Sequence, residues 1–154
     1  MQVFGSQGYL FIFLTVLLDV LGAPVIALPF LVIAGGLAAT GKLSFGFIVL
    51  VATLAAAIGD VLWYALGRSG GPRARKFLSR LSFQSKPYLD RCISLVKNYS
   101  LTFLLISKFI PGIASLAPPA AGMANIPLLK FLVLDTAGRI LWVASVSWIG
   151  YLWR

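Results

Sequence analysis

The chain has no histidine and no glutamate, one cysteine at Cys92, and only four acids, Asp19, Asp60, Asp90 and Asp135. Without these residues a His or Cys metal cluster and a Ser/His/Asp triad are excluded by inventory, and no intrachain disulfide can form. The expectation is a protein that is not an enzyme and needs no cofactor. Charge is scarce as well. Charged residues make up 11% of the chain and hydrophobic ones 60%, with a mean hydropathy of +0.96, whereas soluble domains carry about 25% charge. An all-α integral membrane protein follows. No Arg/Lys-led segment and no small-residue cleavage site accompany the first apolar run, so the N-terminus is expected to be retained.

What is present is a set of hydrophobic stretches to measure against a bilayer core of roughly 30 Å, which about 20 helical residues cross. Residues 9–39 are too many for one pass and too few for two. They carry Asp19, Gly22, Pro24, Pro29, Gly35 and Gly36, and read as two helical arms meeting inside the membrane. Residues 43–67 hold no proline and read as one crossing, with Asp60 near its far end. Residues 101–126 are uncharged except for Lys108 and are interrupted by Pro111, Gly112, Pro118 and Pro119, a second broken element. Residues 128–150 form another plain crossing. A proline-kinked spanning helix is the alternative for each broken stretch.

Of the thirteen basic residues, Arg68, Arg73, Arg75, Lys76, Arg80, Lys86, Arg91 and Lys97 fall in the connection 68–100, which the positive-inside rule places in the cytoplasm. The first broken stretch is then a re-entrant hairpin from outside and the second a re-entrant hairpin from the cytoplasm. Each is followed by a span, giving two units of inverted topology in a single membrane domain, 1–154. A sequence echo agrees. Pro29 follows Asp19 by ten residues and Pro118 follows Lys108 by ten, and each proline precedes a small-residue turn, Ala34 with Gly35 or Ala121 with Gly122.

Charges at membrane depth cost at least a few kcal/mol and mark function or pairing. Asp19 and Lys108 occupy equivalent places with opposite signs, so they are expected to pair when substrate is absent. Asp60 is a candidate proton carrier, with structural hydrogen bonding as its plainer role. Asp135 and Arg139, four apart on one helix face, read as a local ion pair. In the basic connection, Tyr88, Cys92, Leu95, Val96 and Tyr99 recur at helical spacing among Lys86, Arg91 and Lys97. That pattern describes an amphipathic helix on an anionic leaflet, with Arg73, Arg75, Lys76 and Arg80 as further membrane-surface contacts. The net charge of +9 arises from this cluster without any nucleic-acid motif, so nucleic acid is not an expected partner. Trp63, Tyr64, Trp142, Trp148, Tyr151 and Trp153 read as interfacial anchors or packing residues.

Lys108-Phe109-Ile110-Pro111-Gly112 followed by Ala117-Pro118-Pro119-Ala120-Ala121-Gly122 resembles the signature of the DedA membrane proteins, also called the VTT or SNARE-associated Golgi protein family. The run from Gly59-Asp60 to Tyr64-x-x-Gly67-Arg68 is similar to that family's second landmark, and Asp19, Pro24 and Pro29 loosely match its early acid and Pro break. The resemblance covers nearly the whole chain. It implies facing re-entrant hairpins and movement of lipids across the bilayer, with undecaprenyl phosphate and phosphatidylethanolamine among the bacterial substrates attributed to members. The family pattern commonly reads Arg-Phe-x-Pro-x-x-Arg, but here Lys108 and Ala114 stand at the two arginine positions. The early acid is usually glutamate, and Phe30 and Leu31 stand where some members have a further acid. A lysine is a point charge without the guanidinium fork, which weakens any transfer of bidentate phosphate recognition. The Lys-Phe-x-Pro-Gly variant resembles members fused to a rhodanese domain, and the end at Arg154 leads to the expectation of a piece of a longer chain.

The reading is a multi-pass transporter of the bacterial inner membrane that moves an anionic lipid between leaflets. Lys108, Pro111, Gly112, Ala121 and Gly122 would bind the headgroup phosphate and Asp19 or Asp60 would carry a coupling proton. Membrane lipids are the expected partners, with homo-oligomerisation left open. A proton-coupled carrier of a small anion and a membrane scaffold without transport are the alternatives.

Overall fold

The structure is a computed structural model that describes residues 2–21, 27–70, 72–73, 76–77, 80, 86–110 and 113–153. The described residues contain helices and no strand. Among the described residues, the helices whose bounds are defined follow in the order α1 (Gln2–Val20), α2 (Ala27–Ala39), α3 (Phe45–Ser69), α4 (Lys86–Ser107), α5 (Ile113–Met123) and α6 (Leu128–Leu152). Two of them, α3 and α6, are long and apolar enough to cross a membrane. At 25 residues each they run about 37 Å at 1.5 Å per residue.

The spans are inside-out by the standards of a soluble helix. On α3 the exposed residues are large and apolar, with Phe47, Leu50, Leu54, Ile58 and Leu62 at helical spacing, while the buried face holds Ala52, Ala55, Ala56 and Asp60. Large apolar groups facing outward and small or polar ones inward suit a hydrocarbon surround, where close backbone approach replaces the hydrophobic effect between helices.

The chain divides into two units, Met1–Gly59 with Arg139–Arg154, and Asp60–Gly138. In the first, α1 packs on α2, and the core gathers Ile12, Val16, Leu31, Ile48 and Val143. Helix α1 starts seven residues earlier than the apolar stretch suggests and is longer than a half-depth arm. Pro29 sits in the first turn of α2, where no intrahelical N–H is needed. Gly35 lies within the helix rather than in a turn, because a Cβ there would meet the Ser147 backbone of α6, with Ser147 Cα at 3.1 Å. Likewise a Cβ on Gly150 would lie 2.9 Å from Val32 Cα. The helix ends at Gly41, whose φ of 75° allows a Schellman closure: Lys42 N–H donates to Leu37 (3.1 Å) and Gly41 N–H to Ala38 (3.0 Å).

In the second unit, α4 packs on α5 around Tyr64, Val96, Leu104, Leu116, Ala120 and Phe131. Here the helix breaks once, between Lys108 and Ile113, and not at Pro118 and Pro119, which lie inside α5. Both prolines are buried, and a Cβ on Gly67 of α3 would come within 2.8 Å of Pro119 Cα. The expected turn at Ala121 and Gly122 is also helix, since a Cβ on Gly122 would lie 2.8 Å from the amide nitrogen of Arg68. Helix α5 ends as α2 does, with Asn125 at φ 57°, Ile126 N–H donating to Ala121 (3.2 Å) and Asn125 N–H to Gly122 (3.2 Å).

Helix α4 is kinked at Tyr99 (φ −131°, ψ 40°), which separates a basic portion from the arm leading to Lys108. Its apolar stripe is shared. Cys92 and Val96 are buried in the protein core, while Leu95 and Tyr99 are exposed, so only part of the stripe is available to a leaflet. Arg73, Lys76, Arg80, Arg91 and Lys97 are exposed. Lys86 lies on α4, its side chain and Arg75 falling outside the description.

Candidate functional site

Lys108 follows the last residue of α4. Ser107 Oγ donates to the Leu104 carbonyl (3.0 Å), and the amides of Phe109 and Ile110 donate to Ile106 (3.0 Å) and Ser107 (3.2 Å). The chain thus closes the helix end in tight turns, and the ammonium sits where the helix dipole favours a cation. Its side chain is turned fully inward. Lys108 is 3% exposed, Asp60 2% and Asp135 2%.

Lys108 Nζ donates to Asp60 Oδ2 at 3.0 Å and forms a second ion pair with Asp135 Oδ1. The contact to Asp60 has hydrogen-bond geometry; that to Asp135 is a close ion pair without it. One cation is therefore held between acids from α3 and α6. Removing either partner type would leave buried charge uncompensated, which in proteins costs about 3–5 kcal/mol.

This arrangement gives Lys108 partners other than the expected Asp19. Lys108 meets Asp60 and Asp135, whereas Asp19 belongs to the first unit, where its Oδ1 accepts from the amide of Ala27, the first residue of α2, at 3.4 Å. An aspartate suits that position because it offers charge to the unsatisfied N–H groups of a helix start. Arg139 acts electrostatically on Asp19 and lies over the Trp142 ring at 5.9 Å. Asp135 is accordingly the third member of the Lys108 cluster, not simply a partner for the residue one turn on.

Of the other expected binding residues, Ala121 and Gly122 are buried near the C-terminal end of α5 and offer no open helix N-terminus to an anion. The smallness of Gly122 serves contact with α3. Pro111 and Gly112 lie outside the described residues. A polar feature missed by the sequence reading sits nearby: buried Tyr64 donates to the Ile126 carbonyl (2.5 Å) and accepts from Arg68 Nη1 (2.6 Å). Its ring stacks on Phe131 with centroids 4.7 Å apart. The i, i+4 spacing of Tyr64 and Arg68 is a signal that could have revealed it.

Helices throughout the described residues, two of them long and apolar, and a lysine buried among acids are compatible with a helical membrane protein that carries a charged interior site. The VTT domain family matches residues 24–152, and the chain belongs to that family, the DedA membrane proteins. Protein DedA of Escherichia coli strain K12 is 28% identical over 123 residues, 79% of this chain and 56% of the relative. Inner membrane protein YqjA of the same strain is 30% identical over 79% of this chain and 55% of its own length; inner membrane protein YohD is 32% identical over 76% and 59%. The chain thus spans little more than half the length of these curated relatives. No solved structure matches it.

Proposed function

We propose that this chain is a multi-pass transporter of the inner (plasma) membrane that moves an anionic lipid between leaflets, with Lys108 meeting the headgroup phosphate. The observation that carries the reading is the buried ammonium of Lys108 held by Asp60 and Asp135 at the broken end of α4. A charge so placed is costly and is kept where it binds or conducts something. Both broken hairpins are read as re-entrant and of opposite sense, one from each side, which makes the two units an inverted repeat with the exposed basic connection facing the cytoplasm. Membrane-surface contact is assigned to Arg73, Lys76, Arg80, Arg91 and Lys97, which are exposed.

A lipid suits hairpins this short. At 13 and 11 residues, α2 and α5 reach about 20 and 16 Å, so the headgroup would pass along a short polar path while the tail stays in hydrocarbon. Proteoliposomes holding labelled phospholipid or polyprenyl phosphate provide the test. Purified protein should accelerate the movement of label between leaflets, and Lys108→Gln should abolish the effect while Lys108→Arg preserves much of it. Exchange of a soluble anion without any lipid movement would replace this reading with the small-anion carrier.

A further inference from the structure

Arg68, in the last turn of α3, is an exposed arginine held in place by buried groups. Its Nη1 donates to Tyr64 Oη (2.6 Å) and reaches the Ile126 carbonyl at 3.5 Å. Tyr64 is 3% exposed, donates to the same carbonyl and stacks on Phe131. The backbone is fixed as well, because α5 passes so close that a Cβ on Gly122 would lie 2.8 Å from the Arg68 amide nitrogen. Both side-chain contacts use Nη1. The edge formed by Nε and Nη2 can donate side by side to two oxygens of one phosphate or carboxylate, and it has no partner among the described residues. Asp60 and Asp135 of this unit are turned to Lys108 instead. Tying Ile126 to α3 takes a single donor, so a guanidinium fixed in place with its paired donors unused exceeds that task.

Depth narrows the ligand. Helix α3, at 25 residues, runs about 37 Å, against a bilayer of roughly 30 Å of hydrocarbon and roughly 40–45 Å with headgroups. A residue in its last turn therefore stands at the level of the lipid phosphates. Exposed Arg73, Lys76 and Arg80 follow in the connection, where they draw anionic lipid to this leaflet. We infer that Arg68 is a docking residue for the phosphate of an anionic lipid headgroup, and that Tyr64 positions it. The inference deepens the proposed function and rests on its choice of an anionic lipid as the ligand. Arg68 supplies the paired donors that Lys108 lacks and Ala114 cannot offer. Its guanidinium is held before the lipid arrives, so binding need not order a long side chain. Asp60, a partner of Lys108, lies about two turns back along the same helix, about 12 Å of rise. A headgroup leaving the fork thus has a short way to travel to the lysine.

The experiment measures binding of dihexanoyl phosphatidylglycerol to the purified full chain in a maltoside detergent, beside glycerophosphoglycerol, the same headgroup without tails. Arg68→Lys keeps the charge and loses the fork; it should weaken lipid binding about tenfold and leave the thermal midpoint nearly unchanged. Tyr64→Phe should weaken binding about threefold, since the guanidinium remains but is no longer held. Arg68→Gln should weaken it further than Arg68→Lys, whereas Lys42→Gln, the same loss of charge on an exposed lysine just before α3, should not weaken it. Should Arg68→Lys fail to fold, modification of wild-type Arg68 by phenylglyoxal decides: bound lipid should slow it severalfold, and an unchanged rate overturns the inference. So does an Arg68→Lys variant that binds as wild type, an equal loss in Lys42→Gln and Arg68→Gln, or a folded wild type that binds no lipid. Glycerophosphoglycerol binding as tightly as the lipid overturns the headgroup assignment in favour of a soluble phosphate ester. Movement between leaflets is read separately in proteoliposomes. If Lys108→Gln stops it while Arg68→Lys binds as wild type, the inference falls and the transport reading stands; if binding depends on Arg68 and no lipid moves, the docking site stands and the transport reading falls.

Discussion

The two units solve one construction problem in the same way and then diverge in what they bury. In each, a short second helix lays a small residue against the backbone of a long helix, Gly35 on Ser147 in the first and Gly122 on Tyr64 in the second. Both short helices end in a Schellman closure, at Gly41 or Asn125. A tyrosine hydroxyl then ties down the connection that follows: Tyr9 accepts from the amide of Ser44 (2.8 Å), and Tyr64 donates to the carbonyl of Ile126. What differs is the charge. The acid of the first unit, Asp19, is half-buried and serves a helix start, whereas the second unit encloses a complete acid–base–acid cluster. A shared scaffold can therefore carry unequal chemistry, and the chemistry is located by burial of charge rather than by the scaffold.

The largest asymmetry expected on breaking this comparison is at the charges. Lys108→Ala removes the only described cation of a fully buried cluster and should cost about 3–5 kcal/mol, read as a lowered thermal midpoint in detergent, together with loss of transport. Asp19→Ala, by contrast, removes one helix-start contact and should cost about 1 kcal/mol. Equal losses from the two would show that the first unit's acid matters structurally as much as the second unit's cluster.

The small residues should behave alike in both units. Gly122→Val and Gly150→Val each drive side-chain atoms into fixed backbone, and each should destabilise by at least about 1–3 kcal/mol; a large gap between their midpoints would break the parallel. Smaller effects are expected at the tyrosines. Tyr64→Phe leaves the buried Ile126 carbonyl without its hydroxyl donor and should cost about 1–2 kcal/mol. Tyr9→Phe acts at an exposed contact and should fall at about 0.5 kcal/mol. The smallest change is expected from Asn125→Gly, which relieves a left-handed conformation and should leave the midpoint unchanged or slightly raised. Gly41→Ala imposes a left-handed conformation on alanine and should cost about 1 kcal/mol.

The helical, membrane-embedded class was legible because it depends on composition and run length, as was the family, which depends on local order of Gly, Pro, Asp and Lys. Both long helices also lie close to their apolar runs. The interior of the broken stretches was less legible. Proline is read from sequence as a breaker, yet Pro118 and Pro119 remain within α5 because packing against α3 holds the helix. Gly35 and Gly122 look like turn residues, and only the neighbouring backbone identifies them as contact residues. The partner of Lys108 was hardest to foresee. Sequence symmetry pointed to Asp19, but ion pairs are settled by which faces of different helices meet. Asp60 is a lone acid in its stretch of sequence, and its neighbour 48 positions away leaves no periodic trace.

The second unit is one uninterrupted stretch, Asp60–Gly138, set inside the sequence of the first. During synthesis this gives the two units different clocks. Lys108, Asp60 and Asp135 have all been made once Asp135 is added, so these charges can meet early. The first hairpin must wait, since Ser147 and Gly150, the surfaces on which α2 rests, come more than a hundred residues after it. Until they arrive, α2 presents Gly35 and its apolar neighbours to lipid or to insertion factors, and this is the interval in which misassembly is most readily caught.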